Sequence, residues 1–327
     1  MNMPPDDYIR VDAALLQAFV SQVGVRVGLP QEKASLLGRL LTENDLRGVF
    51  SHGTVQIATY ARLMQEGVLN NRPDPQVVKE TPVSLLIDGD GGLGYFPAHA
   101  ATELLIAKAT SQGIAVALTR NHGHFGAAGL YSRMTLAHDL ICFVTSGHQL
   151  KLAPDQPLVT GAGGSPMSFS APADREISLL VDFGAMHDLY LNAPHREEIE
   201  RLAPGIVFRS LGLGAICQSW GGFLAGLPLD EARAVRDYSG ANQGSLAIAM
   251  RIDLFLDPVQ FRSEMDAYVA AIRELQPLPG FDESLLPGGI EAAREREYRL
   301  LGIPIGRAHR ACLRDLAQEL DILLPWA

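Results

Sequence analysis

Residues 84–95, SLLIDGDGGLGY, decide between two kinds of α/β fold. The glycines from Gly89 to Gly94 match G-x-G-x-x-G, and the segment follows a predicted strand and precedes a predicted helix, as in a dinucleotide-binding Rossmann unit. Asp90, however, lies inside this loop, where its charge would repel a phosphate, and the next strand ends at Arg120 instead of an acidic ribose ligand. A tight turn is therefore the favoured interpretation, while a Rossmann site with Arg120 facing a 2′-phosphate stays open.

Outward from this loop, the spacing of apolar residues divides the chain into three parts. The pattern of the first seventy residues predicts helices. Val11, Leu15, Phe19 and Val23, for example, recur at helical spacing. From about residue 75, apolar runs typical of strands alternate with helical patterns, and the glycine-rich segment LGLGAICQSWGGFLAGL predicts a buried helix packed at close quarters. Amphipathic stretches around 258–275, 289–302 and 306–320 predict helices at the end of the chain.

Composition restricts the class of protein. The chain has 327 residues, 47% hydrophobic and 20% charged, which is typical of a folded globular protein. No apolar run reaches the roughly 18 residues of a membrane span, and the first ten residues do not resemble a signal peptide. With 27 Lys+Arg against 37 Asp+Glu and three cysteines far apart, we predict a cytoplasmic protein with no membrane or nucleic-acid partner.

The histidines supply the candidate chemistry. His52 follows Ser51 and precedes a glycine, and a hydroxyl beside an imidazole suits proton transfer to a substrate. His122 and His124 form H-x-H, but no nearby Cys, Asp or Glu completes a metal-ligand set, so we predict no metal. The bare backbone around Gly126 favours a flat ligand packed against it. A G-x-S-x-G nucleophile elbow is missing from the sequence, which argues against a serine hydrolase.

Four segments, in the same order and at similar spacing, resemble blocks of the type 2 malate/L-lactate dehydrogenase family. They are NDLRGVFSHG (44–53), LIDGDGGLGYFPAHAA (86–101), RNHGHFGAAGLYS (120–132) and LPGGIEAAREREYRLLGIPI (286–305). The family also contains sulfolactate, ureidoglycolate and diketogulonate enzymes and the reductases of cyclic imines, piperideine- and pyrroline-2-carboxylate. The resemblance covers nearly the whole chain.

This resemblance implies an α+β protein with the sulfolactate-dehydrogenase-like fold and not a Rossmann fold. A cofactor domain on a mixed, mainly antiparallel sheet is expected at 75–302. Residues 1–74 with 303–327 are expected to form a helical domain, with the active site between the two. Members of the family are usually homodimers, so a homodimer that binds a small-molecule substrate is expected here.

The resemblance also implies roles for particular residues. His52 matches the proton donor to the substrate, and Ser51 matches its hydroxyl partner. Substrate contacts are expected from Gln56, His148 and Ser165. Contacts to NADH or NADPH are expected from His124, Phe125, Gly126, Ala127, Ala128, Asp182, Phe183, Arg209, Ser210, Gly288 and Gly289.

Departures from the family pattern point to an unusual substrate. Gln56 stands where the family usually has an arginine that binds the substrate carboxylate through a charge-assisted contact. Residues 163–166, GGSP, replace the family's GTNP, and the chain is shorter than usual between 185 and 208. We therefore expect an NAD(P)H-dependent biosynthetic reductase of a carbonyl or cyclic imine. The alternatives are a non-redox enzyme that uses His52 for cyclisation, isomerisation or elimination, and a binding protein without catalysis.

Overall fold

The computed structural model describes residues 4–326, which form two compact units. The terminal unit combines the chain up to Pro73 with the chain from Val269 onward, and the central unit is Asp74–Tyr268. The boundary at which the chain returns to the terminal unit lies between Tyr268 and Val269, whereas it was expected between residues 302 and 303. The stretch 269–302 therefore lies in the terminal unit. Within the described residues, no helix combines the length and the apolar character that crossing a bilayer requires.

The helices and strands have the following bounds. The helices are α1 (Ala13–Arg26), α2 (Gln31–Leu46), α3 (Ile57–Gln65), α4 (Tyr95–Gln112), α5 (Gly129–Met134), α6 (Arg196–Leu202), α7 (Pro204–Ile216), α8 (Pro258–Arg273), α9 (Gly289–Leu301) and α10 (Arg307–Leu320). The strands are β1 (Tyr8–Val11), β2 (Gln76–Thr81), β3 (Ser84–Asp88), β4 (Ile114–His122), β5 (Leu140–His148), β6 (Pro166–Ala171), β7 (Leu179–Gly184), β8 (Gln243–Arg251) and β9 (Ile303–Gly306).

The terminal unit is built on the packing of α1 against α2. Asp12 caps α1, since its Oδ1 accepts hydrogen bonds from the backbone N–H groups of Ala14 (2.8 Å) and Leu15 (3.2 Å). The predicted apolar stripe is shifted, because Leu15 is 53% exposed and Val11 lies in β1. The side chains of α1 that are buried are Leu16, Phe19, Val20 and Val23. Full burial of such a side chain contributes about 1.5–3 kcal/mol.

The central unit is built on a mixed sheet with the strand order β2-β3-β4-β8-β5-β6-β7. Only the β3–β4 pair of this sheet is parallel among the described residues, and its two strands are joined through α4. Helix α4 packs on β3, β4 and β8, and α5 packs on β5, β6 and β7. The mainly antiparallel sheet confirms the expected fold class and excludes the Rossmann topology, which needs a mostly parallel sheet.

The glycine loop between β3 and α4 is a tight turn packed against protein atoms. Gly91 has a φ of +73°, and a Cβ there would lie 2.2 Å from the ring of Tyr238. A Cβ on Gly94 would lie 2.5 Å from Nδ1 of His122. The Asp90 carboxylate accepts a hydrogen bond from the Asp74 backbone N–H at 2.9 Å. Packing within the unit therefore explains these glycines, and the tight-turn interpretation is confirmed.

The segment 211–227 departs from the predicted buried helix. Helix α7 continues into a π-helix over Cys217–Phe223, a form that occurs often at functional sites. A Cβ on Gly221 would lie 2.6 Å from the backbone N of Gly147, so glycines let this helix touch β5 directly. The helix is nevertheless only partly covered, since Trp220 is 43%, Phe223 is 45% and Leu224 is 63% exposed. The prediction of complete burial is therefore wrong.

Candidate active site

The Ser51–His52 pair lies in the terminal unit, in a short 3₁₀ turn that follows α2. Oγ of Ser51 lies 2.9 Å from Nδ1 of His52, which is hydrogen-bonding distance. Burial lowers the pKa of His52 below its usual 6.5, because the charged imidazolium is less well solvated there. The hydroxyl therefore fixes one side of an imidazole that is neutral at pH 7.

The end of α2 holds the backbone on both sides of Gly53. Nδ2 of Asn44 donates to the carbonyl oxygen of His52 at 2.8 Å. Oδ2 of Asp45 accepts from the backbone N–H of Thr54 at 2.9 Å and from its hydroxyl at 2.6 Å. A Cβ on Gly53 would lie 1.7 Å from Oδ1 of Asp45. Only glycine therefore fits between the hydrogen bonds of Asn44 and those of Asp45.

A histidine from the other end of the chain completes this cluster. Nε2 of His309, in the first turn of α10, lies 3.1 Å from Oγ1 of Thr54. Burial lowers the pKa of His309 to about 4. Burial raises the pKa of Asp45 to about 7, against the two hydrogen bonds from Thr54, which lower it. An Asp–Thr–His row therefore lies beside the backbone that follows the candidate proton donor.

Gln56, the expected substrate contact, is tied to the Ser51–His52 segment itself. Its Nε2 donates to the carbonyl oxygen of Ser51 at 2.7 Å. One arginine of the same region, Arg47, forms ion pairs with Glu295 (2.9 Å) and Glu43 (3.5 Å). Residue 56 thus presents a neutral amide used in local structure, and Arg47 is already neutralised.

The expected cofactor glycines of the terminal unit begin α9. Gly288 has a φ of +97° and precedes the helix, and the Gly289 N–H donates to the carbonyl oxygen of Leu286 at 3.0 Å. Gly289 is buried. The positive φ explains the glycine at position 288 without a ligand.

In the central unit, His148 and the 163–165 turn lie together around Gln218. Oε1 of Gln218 accepts from the His148 backbone N–H at 3.2 Å, and a Cβ on Gly163 would lie 2.2 Å from Nε2 of Gln218. Burial lowers the pKa of His148. The Ser165 hydroxyl is fully buried and donates to the carbonyl oxygen of Ala162 at 2.5 Å. His148 is thus half-buried beside Gln218, whereas Ser165 is engaged inside the protein.

The stretch His124–Ala128 is covered largely by the protein itself. Phe125, Ala127 and Ala128 are buried, and only His124 is half-buried. A Cβ on Gly126 would lie 2.5 Å from the ring of Tyr95. The expectation of bare backbone is therefore wrong at Gly126, because the Tyr95 ring occupies that space.

His122 lies within a buried hydrogen-bond network. Its Nε2 lies 2.7 Å from Oγ1 of Thr119, which in turn lies 2.5 Å from Oγ of Ser245. Its Nδ1 lies 2.7 Å from the carbonyl oxygen of Gly123. Burial lowers the pKa of His122 to about 4. Both ring nitrogens are engaged, so His122 acts in the structure by fixing the strand that leads to His124.

The remaining expected cofactor residues are at or near the surface of the central unit. Asp182 and Phe183 are exposed near the end of β7, and a Cβ on Gly129, the first residue of α5, would lie 2.6 Å from the Asp182 carboxylate. Arg209 is exposed on α7, and its Nε donates to the carbonyl oxygen of Gly205 at 2.9 Å. Ser210 follows it and is half-buried.

Sequence reasoning missed Asp45, Thr54, His309 and Gln218. Gln218 left a signal, because it is a polar residue inside an otherwise apolar helical segment. Thr54 directly follows the Ser-His-Gly tripeptide. No local signal in the sequence pointed to His309, because it is separated from Thr54 by 255 positions.

Comparison with known proteins gives the family. The family model for malate/L-lactate dehydrogenase matches residues 11–186 and 197–314. The chain is 26% identical to the L-sulfolactate dehydrogenase of Methanocaldococcus jannaschii, with 91% of this chain and 93% of that protein covered.

Solved structures share the fold. The malate dehydrogenase of Pyrococcus horikoshii superposes with a TM-score of 0.82 at 24% identity, with 99% of each chain covered. The Δ1-piperideine-2-carboxylate reductase of Pseudomonas syringae superposes with a TM-score of 0.72 at 20% identity, with 94% of this chain and all of that one covered. Since the family model spans most of both units, the chain belongs to the malate/L-lactate dehydrogenase family of nicotinamide-dependent oxidoreductases.

Proposed function

We propose that the chain is a reductase that transfers a hydride from NADH or NADPH to a carbonyl or cyclic imine, with His52 as the proton donor. The observation that carries the proposal is the Ser51–His52 pair, with 2.9 Å between Oγ and Nδ1, clamped by the end of α2. Since Ser51 engages Nδ1, proton transfer to the substrate falls to Nε2. The solved relative that is named a piperideine-carboxylate reductase supports an imine as an acceptor.

The exposed residues of the central unit have the chemistry that a nicotinamide dinucleotide needs. When bound, the cofactor supplies the hydride. The Asp182 carboxylate suits ribose hydroxyls, the Arg209 guanidinium suits a phosphate, and the Phe183 ring suits a flat ring system. We propose that His124 and Ser210 add contacts, and that the buried Phe125, Ala127 and Ala128 support the site from behind.

We further propose that the substrate is not a small free 2-oxo acid. A carboxylate buried beside His52 needs a cationic partner, because an unpaired buried charge is unfavourable. Gln56 offers a neutral amide that donates to Ser51, and Arg47 is paired with Glu43 and Glu295. The surroundings of His52 therefore favour a substrate whose acid is absent or masked, such as an ester or amide.

Matched substrates test this proposal. Pyruvate and methyl pyruvate, and oxaloacetate and its dimethyl ester, are assayed with NADH and with NADPH. We expect a higher kcat/KM for the ester than for the acid, and Gln56→Arg is expected to reverse the order by supplying the missing charge. Turnover of a free acid by the unaltered enzyme above about 10⁴ M⁻¹s⁻¹, which is ordinary enzyme performance, would refute the proposal on the substrate.

Cofactor binding separates the reductase from the non-redox alternative. Nicotinamide fluorescence is followed while the protein is titrated into NADH or NADPH. Binding of either supports hydride transfer. If neither binds, acid–base chemistry at His52 without redox replaces the reductase as the proposed function.

A further inference from the structure

The strongest unassigned feature is the row His309–Thr54–Asp45 beside the backbone that follows His52. Thr54 is fully buried and lies at the centre of the row. Its Oγ1 lies 2.6 Å from Oδ2 of Asp45 and 3.1 Å from Nε2 of His309. The three side chains come from the end of α2, the segment after His52 and the start of α10, so the row joins the two ends of the chain at one hydroxyl.

The protons of this row have one consistent order when Asp45 is ionised. A threonine hydroxyl has a single proton and two lone pairs. At 2.6 Å from a carboxylate oxygen the hydroxyl donates to Asp45, so it must accept from His309. Neutral His309 therefore carries its proton on Nε2. His309 donates to Thr54, and Thr54 donates to Asp45.

The row acts on the peptide that follows His52. The Asp45 oxygen that accepts from the Thr54 hydroxyl also accepts from the Thr54 backbone N–H at 2.9 Å. Within residues 4–326, the second oxygen of Asp45 has no hydrogen-bond partner and lies against Gly53. The carboxylate is thus oriented from the Thr54 side alone, and the backbone from Gly53 to Thr54 is fixed to match.

We propose that Thr54 and His309 are positioning residues for the proton donor, because the row His309–Thr54–Asp45 fixes the backbone after His52 and thereby the direction of its imidazole. This inference rests on the proposed role of His52. A small displacement of a catalytic group lowers the rate of the chemical step far more than it weakens substrate binding. Loss of the row should therefore lower kcat and leave KM nearly unchanged.

Two matched pairs of variants test the row. Thr54→Val keeps the shape and removes the hydroxyl, whereas Thr54→Ser keeps the hydroxyl. His309→Leu removes the donor, whereas His309→Gln can place an amide N–H where Nε2 was. We expect Thr54→Val and His309→Leu to lower kcat by about 10- to 100-fold, with KM changed by less than about threefold. Thr54→Ser and His309→Gln are expected to retain most of kcat.

A second measurement needs no turnover. The imidazole signals of His52 are assigned by NMR on histidine-labelled protein, with His52→Gln as the reference, and are followed through a pH titration. If the row positions His52, Thr54→Val and His309→Leu shift these signals and the apparent pKa of His52. This arm stands even if no nicotinamide-dependent turnover is found, so failure of the proposed function is distinguishable from failure of the row.

If the row only stabilised the fold and did not position His52, the variants would behave differently. In that case Thr54→Val and His309→Leu would lower the melting temperature, while kcat and the His52 signals of the folded protein would match those of the unaltered protein. That result would overturn the inference. If Thr54→Val does not fold, the His309→Leu and His309→Gln pair decides the question by the same two measurements.

Discussion

At the scale of single residues, the protonation state of His52 sets how the rates of reduction and oxidation depend on pH. Reduction needs the imidazolium as proton donor, and burial lowers the pKa of His52 below 6.5. We therefore expect kcat/KM for reduction to fall as the pH rises through a pKa below 6.5, and kcat/KM for oxidation to rise through the same pKa.

Variants of the pair check this assignment. His52→Ala should lower turnover by about 10²- to 10⁴-fold, because general acid catalysis is lost. Ser51→Ala keeps the imidazole and should retain the pH dependence at lower activity. Near-normal turnover in folded His52→Ala would remove His52 from the mechanism.

His122 makes stability depend on pH. Its pKa is lowered from the 6.5 of an unperturbed histidine to about 4 in the folded protein. The unfolded chain therefore binds one more proton between these values, so stability is fully present above pH 6.5 and is lost as the pH falls towards 4. The difference between these two pKa values corresponds to about 3 kcal/mol.

His309 and Asp45 also make the stability of the protein depend on pH in this range. His309 acts in the same direction as His122, since its pKa is also lowered to about 4. Asp45 acts in the opposite direction, because its pKa is raised from 3.8 to about 7 and its contribution is lost as the pH rises through 7. His52 and His148, whose pKa values burial also lowers, act in the same direction as His122, so stability should fall on acidification below pH 6.5, and His122→Gln should make that fall smaller.

Urea unfolding at pH 7 and at pH 4.5 measures this fall in stability. His138→Gln is the matched control, because His138 is exposed. An equal loss of stability on acidification in His122→Gln and in the unaltered protein would contradict the assignment.

Sequence alone predicted the Ser51–His52 pair but not the residues that hold it in place. Ser51 and His52 are adjacent, so their pairing is visible in the sequence, and the structure places their side chains in contact. The partners of Thr54 are nine and 255 positions away, and no local pattern encodes contacts at such separations. The cluster beside the backbone that follows His52 could therefore be found only in the fold.

At the scale of elements, one carboxylate anchors α8. Asp266 accepts hydrogen bonds from the backbone N–H groups of Asp174, Arg175 and Glu176, at 3.0–3.2 Å. These bonds, with that from Glu176 the largest cause, hold the pKa of Asp266 below 3.8. The contact joins α8 to the turn between β6 and β7.

Asp266→Asn should lower the melting temperature, because an amide presents only one acceptor oxygen to three donors. The contribution of Asp266 is present above pH 3.8 and is lost as the pH falls through its lower folded pKa, so the two proteins should converge in strong acid. Thermal melting from pH 7 to pH 2 measures the difference, and a constant difference over this range would contradict the account.

The elements themselves were predictable where their pattern is local. The amphipathic stretches around 258–275, 289–302 and 306–320 match α8, α9 and α10 within a few residues. Strands β1 and β9 were missed, because each has four residues and pairs with a partner almost 300 positions away. The π-helix at 217–223 was missed because its residues share the pattern of an α-helix.

At the scale of the whole molecule, exposed apolar surface supports the proposed homodimer. Phe208 of α7 is 65% exposed and Phe223 of the π-helix is 45% exposed. On the sheet, the exposed Phe169 contacts Phe143, whose ring also contacts Trp220. An apolar cluster such as that of Phe169, Phe143 and Trp220 is typical of an interface.

Light scattering should therefore give twice the chain mass of 35.3 kDa at micromolar concentration. Phe208→Asp should shift the mass towards that of one chain, because a buried unpaired charge is unfavourable in an interface. Glu197→Gln, an exposed change on α6, is the control. A monomer mass for the unaltered protein would refute the dimer.

The pairing of β1 with β9 has a consequence for biosynthesis. A ribosome delivers β1 before the contiguous central unit and β9 only after that unit has emerged. At about 5–20 residues per second, the stretch between Pro73 and Val269 takes roughly 10–40 s to translate. The surfaces of α1 to α3 that pack on α9 and α10 stay uncovered for that time, so we expect the nascent segment of α1 to α3 to be a substrate for chaperones.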